Sequence, residues 1–287
     1  MSKRLIIALT LIATLFALSA AAETAPSSSA TTNQRLLDNL KFSYYGLYRG
    51  PQITKPNSSY QPSDEGTEDE SKKQVIESAF TLGYKLNPDV TISAMHNFLL
   101  YPLGTSKTDG GFDMKFSNPA FRIAHTSLYD NKQGLSLAGA FRFYFPAARA
   151  AHDSHLFTQL RTDETLNQDL QGTRWSLGMD MTQRLWLYSS DVAKGGDGLN
   201  SYYFLFSPYG GYQVNDKISV KFGFEKEMAK PFAENATFDT SGMMEGFVGV
   251  SWDAHPKLNL SPSISFHPNN MKMNVMQAFL ELTAKVL

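Results

Sequence analysis

The chain has no cysteine and only three tryptophans, and beyond its N-terminus it has no apolar run long enough to cross a membrane as a helix. Without thiols there are no disulfide staples, no thiolate metal site and no cysteine nucleophile. No glycine-rich phosphate loop or dinucleotide fingerprint occurs, and His96, His255 and His267 lack metal-ligand spacing, so no cofactor or metal is expected. Charge of one sign is also lacking: 26 Lys+Arg stand against 27 Asp+Glu. That balance gives no basic surface for nucleic acid, and none is expected as a partner.

What is present starts with an address. Lys3 and Arg4 precede an apolar run from Leu5 to Leu18, and Ala20, Ala21 and Ala22 follow before Glu23. This is the anatomy of a secretory signal peptide over residues 1–22, and the run is short for a membrane anchor. Its removal takes Lys3 and Arg4 and no acid, moving the formal charge from −1 to −3. Residues 23–35 are polar and Ser/Thr-rich and read as a flexible periplasmic lead-in.

From residue 36 onward, apolar and polar side chains alternate in short segments. The last stretch is representative. Met276, Ala278, Leu280, Leu282, Ala284 and Val286 share one face, with Gln277, Glu281, Thr283 and Lys285 opposite. A strand places successive side chains on opposite faces, so one face is oily and the other wet. Leu135, Leu137, Gly139, Phe141, Phe143 and Phe145 repeat the pattern against Ser136, Ala138, Ala140 and Arg142. Mean hydropathy is −0.27, a value that hides such sheets because each strand is only half apolar. Aromatic content is 13%, which suits lipid-facing strands with interfacial girdles.

The spacing predicts twelve strands. Tight turns are expected at 87–89, 130–134, 182–184, 215–216 and 255–256, and long connections at 51–73, 104–111, 146–172, 189–200 and 231–237. Long and short connections alternate, except for a short one at 267–270. A secreted β-sandwich also alternates its side chains, but it has no reason to sort loop lengths by parity. The expected fold is therefore all-β, an antiparallel up-and-down transmembrane barrel of about twelve strands over residues 36–287, with both ends on the periplasmic side.

With a signal peptide, half-apolar strands and parity-sorted loops, the chain resembles bacterial outer-membrane β-barrels of the porin and small-channel type. The resemblance covers nearly all of the mature chain and is one of architecture, without a subfamily. It implies an outer-membrane location in a Gram-negative bacterium, lipid and lipopolysaccharide around the barrel, assembly by the barrel machinery, and passage of small polar solutes. Barrels of this kind often end in an aromatic residue; Leu287 departs from that.

If the apolar faces meet lipid, their partners line the lumen. Candidates are Arg122, Arg142, Arg174, Asp180, Lys221, Glu225, Glu245 and Glu281. Arg122, Arg142 and Arg174 could form an electropositive constriction for small anionic or polar solutes; mutual neutralisation inside a plugged barrel is the other reading. Arg149, His152, His155 and Arg161 fall in the connection 147–171, read as a surface excursion with a helical turn or two, or as a loop narrowing the pore. Asp64, Glu65, Glu68, Asp69 and Glu70 crowd the first long loop as a solvated acidic run. An outer-membrane phospholipase would carry a His-x-Ser-Asn-Gly segment; His125-Thr126-Ser127-Leu128 lacks the Asn and Gly, and no enzymatic activity is expected. A closed structural or adhesive barrel is the alternative to a channel.

Overall fold

The computed structural model describes residues 38–62, 68–102, 113–189, 199–232, 237–239, 244–268 and 271–286. The proposed signal peptide and lead-in lie outside them. The elements in order are β1 (Leu40–Gln52), β2 (Tyr60–Pro62), β3 (Glu68–Lys73), β4 (Val75–Lys85), β5 (Val90–Tyr101), β6 (Asp113–Phe116), β7 (Ala120–Asp130), β8 (Leu135–Tyr144), α1 (Arg149–Asp153), β9 (Leu156–Asp169), β10 (Trp175–Tyr188), β11 (Asn200–Asn215), β12 (Ile218–Pro231), β13 (Met244–His255), β14 (Leu258–Phe266) and β15 (Gln277–Lys285).

All but β2, β3 and β6 form one antiparallel sheet that closes on itself, because β4 pairs with both β1 and β5 while β1 pairs with β15. The result is a twelve-strand up-and-down barrel. β6 pairs only with the far end of β5, and β2 pairs with β3 as a separate hairpin. The stagger can be read from the pairings. Rows leaving β1 at Arg49 and Lys41, eight residues apart, reach β9 at Asp169 and Arg161, again eight apart, so one circuit climbs sixteen residues. Strands in such a staggered barrel tilt steeply against its axis.

Connections obey parity without exception. The short ones, at 86–89, 131–134, 170–174, 216–217 and 256–257, share one rim, here called inner; those at 53–74, 102–119, 145–155, 189–199, 232–243 and 267–276 share the outer rim. The last is longer than the four residues expected from sequence. A 3-10 turn at Met273–Val275 occupies what reads as the start of the closing strand, which begins at Gln277. Asparagine builds three inner turns by accepting two backbone N–H bonds on its side-chain oxygen. Asn87 binds Asp89 and Val90, Asn131 binds Gln133 and Leu135, and Asn215 binds Lys217 and Ile218.

The outer face is apolar, as the alternation requires. Phe42, Phe80 and Phe98 stack across β1, β4 and β5 at 5.8 and 5.4 Å between ring centroids, and the Tyr44 hydroxyl meets Ser78 Oγ at 3.0 Å beside them. Such ring pairs are worth about 0.5–1.5 kcal/mol each beyond area burial. Trp175, Tyr212 and Phe222 cluster near the inner rim, and Phe145 and Phe157 lie exposed near the outer one, the positions of interfacial girdles.

Two strands depart from the sequence reading. The expected connection 146–172 contains α1 and the whole of β9, and the turn expected at 182–184 is the middle of one continuous β10. Both misreadings have one cause. Register places Thr162, Glu164 and Gln183 on the outer face, in the rows of Phe141 and Gly139, where apolar residues are the rule. Gln183 is held there by the Tyr202 hydroxyl at 2.7 Å. The twelve-strand count survives because one strand was missed and another divided.

Glu164 is a carboxylate on the lipid side, so Glu164→Leu is expected to raise the denaturant midpoint of the refolded barrel. Gly134 sits at φ +101° with the Asp169 carbonyl oxygen 2.5 Å from where a Cβ would stand. Gly134→Ala is expected to lower stability by about 1–3 kcal/mol. Both are read from the unfolding of heat-modifiable gel bands; shifts of the opposite sign would contradict the face assignment and the turn.

Candidate functional site: the barrel interior

The side chains opposite the lipid face are strongly sorted by charge. On β7, β8, β9 and β10 the register places Arg122 opposite Arg142, Arg142 opposite Arg161 and Arg161 opposite Arg184, so four arginines occupy one continuous row on neighbouring strands. Like charges directly opposite repel, and one acid offsets them. Asp163 lies 2.5 Å from an Arg161 guanidinium nitrogen and 3.0 Å from Arg142, and it accepts hydrogen bonds from Arg161 Nε and the Thr182 hydroxyl at 2.7 and 2.9 Å. The Arg142 contact is an ion pair without hydrogen-bond alignment. Arg184 instead stacks its guanidinium 5.0 Å from the Tyr203 ring centre.

Across the interior the charge reverses. Glu225 and Glu245 stand directly opposite each other on β12 and β13, and Glu281 lies on β15, six strands from β9 around the closed sheet. Arg49 pairs with Glu77 at 2.6 Å and covers the Phe279 ring at 5.6 Å. Lys221 Nζ lies 2.7 Å from Asp180 and 3.6 Å from the centre of the Tyr209 ring.

Three cavities follow this acidic wall. A middle one of about 490 Å³ is lined by Arg49, Asp180, Lys221, Glu225, Glu245 and Glu281, among others. An outer one of about 420 Å³ shares Arg49, Glu225, Glu245 and Ser265 with it. An inner one of about 490 Å³ shares Lys221. Shared lining residues make them neighbours along the barrel, with Arg49, Glu225 and Glu245 common to the middle and outer cavities and Lys221 to the middle and inner ones.

Of the residues singled out from sequence, Asp180, Lys221, Glu225, Glu245 and Glu281 meet in the middle cavity, while Arg122 and Arg142 share the arginine row. Arg174 does not join them. It ends the inner-rim turn 170–174, donates to the Val214 carbonyl at 2.8 Å, and borders only the inner cavity. In its place stand Arg161 and Arg184, the one assigned from sequence to a loop and the other to a turn; only the correct register reveals them. Arg149 pairs with Asp153 at 3.6 Å on exposed α1, and His152 and His155 border a shallow outer-rim cavity. Asp64 and Glu65 lie outside the described residues, and Asp69 pairs with Lys72 at 3.4 Å.

The His125–Ser127 segment opens a bulge at the lipid face. His125 Nδ1 accepts the Ser127 backbone N–H at 3.2 Å, and residue 139, directly opposite His125, is a glycine with no side chain to orient the ring. Among the described residues no cluster of acids and histidines is arranged to hold a metal ion.

No family model and no curated protein matches the chain. Solved structures do. An outer-membrane channel from Pseudomonas putida F1 is 11% identical over 86% of this chain and 94% of its own, with a TM-score of 0.50. The NanC porin is 10% identical over 84% and 97%, at 0.46, and an outer-membrane phospholipase from Salmonella typhi is 12% identical over 86% and 90%, at 0.36. At this identity the likeness is one of fold: the chain has the closed barrel of outer-membrane proteins, with the apolar face outward and the charged face inward.

Asp163 serves two arginines at once. Asp163→Asn is expected to cost about 1.5–3 kcal/mol of stability, and a double-mutant cycle with Arg142→Gln should show coupling. Strictly additive losses would mean that the 3.0 Å contact contributes nothing.

Proposed function

We propose that this chain is an outer-membrane channel that passes small polar solutes, with preference for anions. The arginine row is the observation that carries the reading. Four guanidinium groups on adjacent strands, offset by one carboxylate, hold a standing positive charge on one wall of a hydrated interior. Charge fixed along a pore wall raises the local concentration of the opposite ion and sets selectivity. The adjoining cavities support passage, since charged side chains that they share, Arg49, Glu225 and Glu245 on one side and Lys221 on the other, line their boundaries. The apolar belt and aromatic girdles support residence in the outer membrane, with lipid and lipopolysaccharide around them.

The acidic wall and the basic row face each other across the interior, so selectivity is expected to be a balance that single substitutions tip. In planar bilayers under a salt gradient, the reversal potential should show a preference for anions. Arg142→Ala and Arg161→Ala should each move it toward cations, and Glu225→Gln should move it the other way. Conductance and selectivity unchanged in Arg142→Ala would remove that residue from the pore lining. Absence of conductance from correctly folded protein would favour a closed structural barrel.

A further inference from the structure

The arginine row continues onto β5, and there it leaves hydrogen-bonding capacity unused. Ser93 on β5 stands directly opposite Arg122, and Arg122 directly opposite Arg142. Ser93 is 4% exposed. Its Oγ, Arg122 Nε and Arg142 Nε are all buried without a hydrogen-bond partner. Side chains directly opposite on neighbouring strands have their Cβ atoms about 4.5–5.5 Å apart, so the three groups belong to one small patch of wall.

Buried donors are rarely left unpaired, because each then bears its full desolvation cost, about 1–3 kcal/mol and more when charged. Among the described residues no group hydrogen-bonds these three atoms. Asp163, the acid of the row, is already engaged by Arg142, Arg161 and Thr182, and Arg122 has no ion-pair partner among the described residues. Ala120 and Ala124 flank Arg122 on β7 and are buried, and the buried Tyr144 stands opposite Ala120 on β8. The two alanines offer no competing acceptor beside Arg122.

We propose that Ser93, Arg122 and Arg142 form a stoichiometric binding station for a small divalent oxyanion. Its oxygens accept from Arg122 Nε, Arg142 Nε and the Ser93 hydroxyl once these side chains turn out from the wall, since each of the three atoms is closed to solvent in this structure. Two guanidinium groups and a hydroxyl on one side of a planar or tetrahedral oxyanion use the fork geometry that arginine offers and lysine lacks. Sulfate, phosphate and the paired carboxylates of a dicarboxylate share this chemistry, whereas chloride has no oxygens to distribute among three donors. The station deepens the anion preference proposed above but requires only a hydrated interior, not passage through the barrel.

The test is equilibrium binding to the folded full-length barrel in detergent, by calorimetry, with sulfate, inorganic phosphate and succinate as separate probes at constant ionic strength set with chloride. One saturable site per chain is expected for at least one probe, and which probe binds tightest identifies the oxyanion class. Arg122→Gln should weaken that binding at least tenfold. Arg122→Lys should weaken it nearly as much, because the charge is kept and Nε is lost. Ser93→Ala, a substitution small enough to fold, should weaken it several-fold, and Arg149→Gln on the outer rim should leave it unchanged. No saturable binding above chloride, or equal affinity in Ser93→Ala and Arg122→Lys, would overturn the station. Conductance without binding would leave the channel standing and remove the station, and binding without conductance would do the reverse.

Discussion

Everything in this molecule depends on the hydrogen-bonded junction where β1 meets both β15 and β4. In hydrocarbon no water is present to satisfy a backbone N–H or C=O, so a sheet can stand there only if it has no free edge. The first and last strands of the barrel are therefore bound to become neighbours, and Ser43 pairs with Lys285 at the inner rim while Arg49 pairs with Phe279 toward the outer. Aromatic stacking of Phe42, Phe80 and Phe98 ties β1 to β4 and β5 from outside. Closure also creates the interior: once the sheet is shut, every second side chain faces an enclosed space whatever its chemistry.

Most of this architecture was legible because alternation, turn chemistry and loop parity are local properties. The asparagine turns at residues 87 and 215 are visible as short motifs, and the clean alternation of β8 reads directly from Leu135 to Phe145. What failed was local as well. Beyond Phe157 at the outer rim, β9 offers the lipid Leu160 and Leu166 amid Thr162 and Glu164, so its oily stripe falls below recognition. Gln183 interrupts β10 in the same neighbourhood. A polar island on the outer face imitates a loop in one strand and a turn in the next.

The interior was legible residue by residue but not as an arrangement. Asp180, Lys221, Glu225, Glu245 and Glu281 were found by face alone, and they converge on one cavity because neighbouring strands carry them at similar depth. The arginine row depends on register across four strands, which no single segment encodes. Arg161 and Arg184 were hidden by the errors in β9 and β10, and Arg174 took their place in the expectation because it sits at the start of a well-formed alternation. Register, more than composition, separates a basic wall from an acidic one here.

The central claim is that the closed sheet is oily outside and hydrated inside, including along the strand that sequence did not reveal. The chain's lack of cysteine gives a silent background for testing it. Single cysteines placed along β9 in protein reconstituted in lipid vesicles, probed with a water-soluble maleimide, should react in alternation: Thr165→Cys and Asn167→Cys labelled, Leu160→Cys and Leu166→Cys protected. Uniform labelling along 160–167, or protection at Thr165 with reaction at Leu166, would contradict the barrel's sidedness and everything built on it.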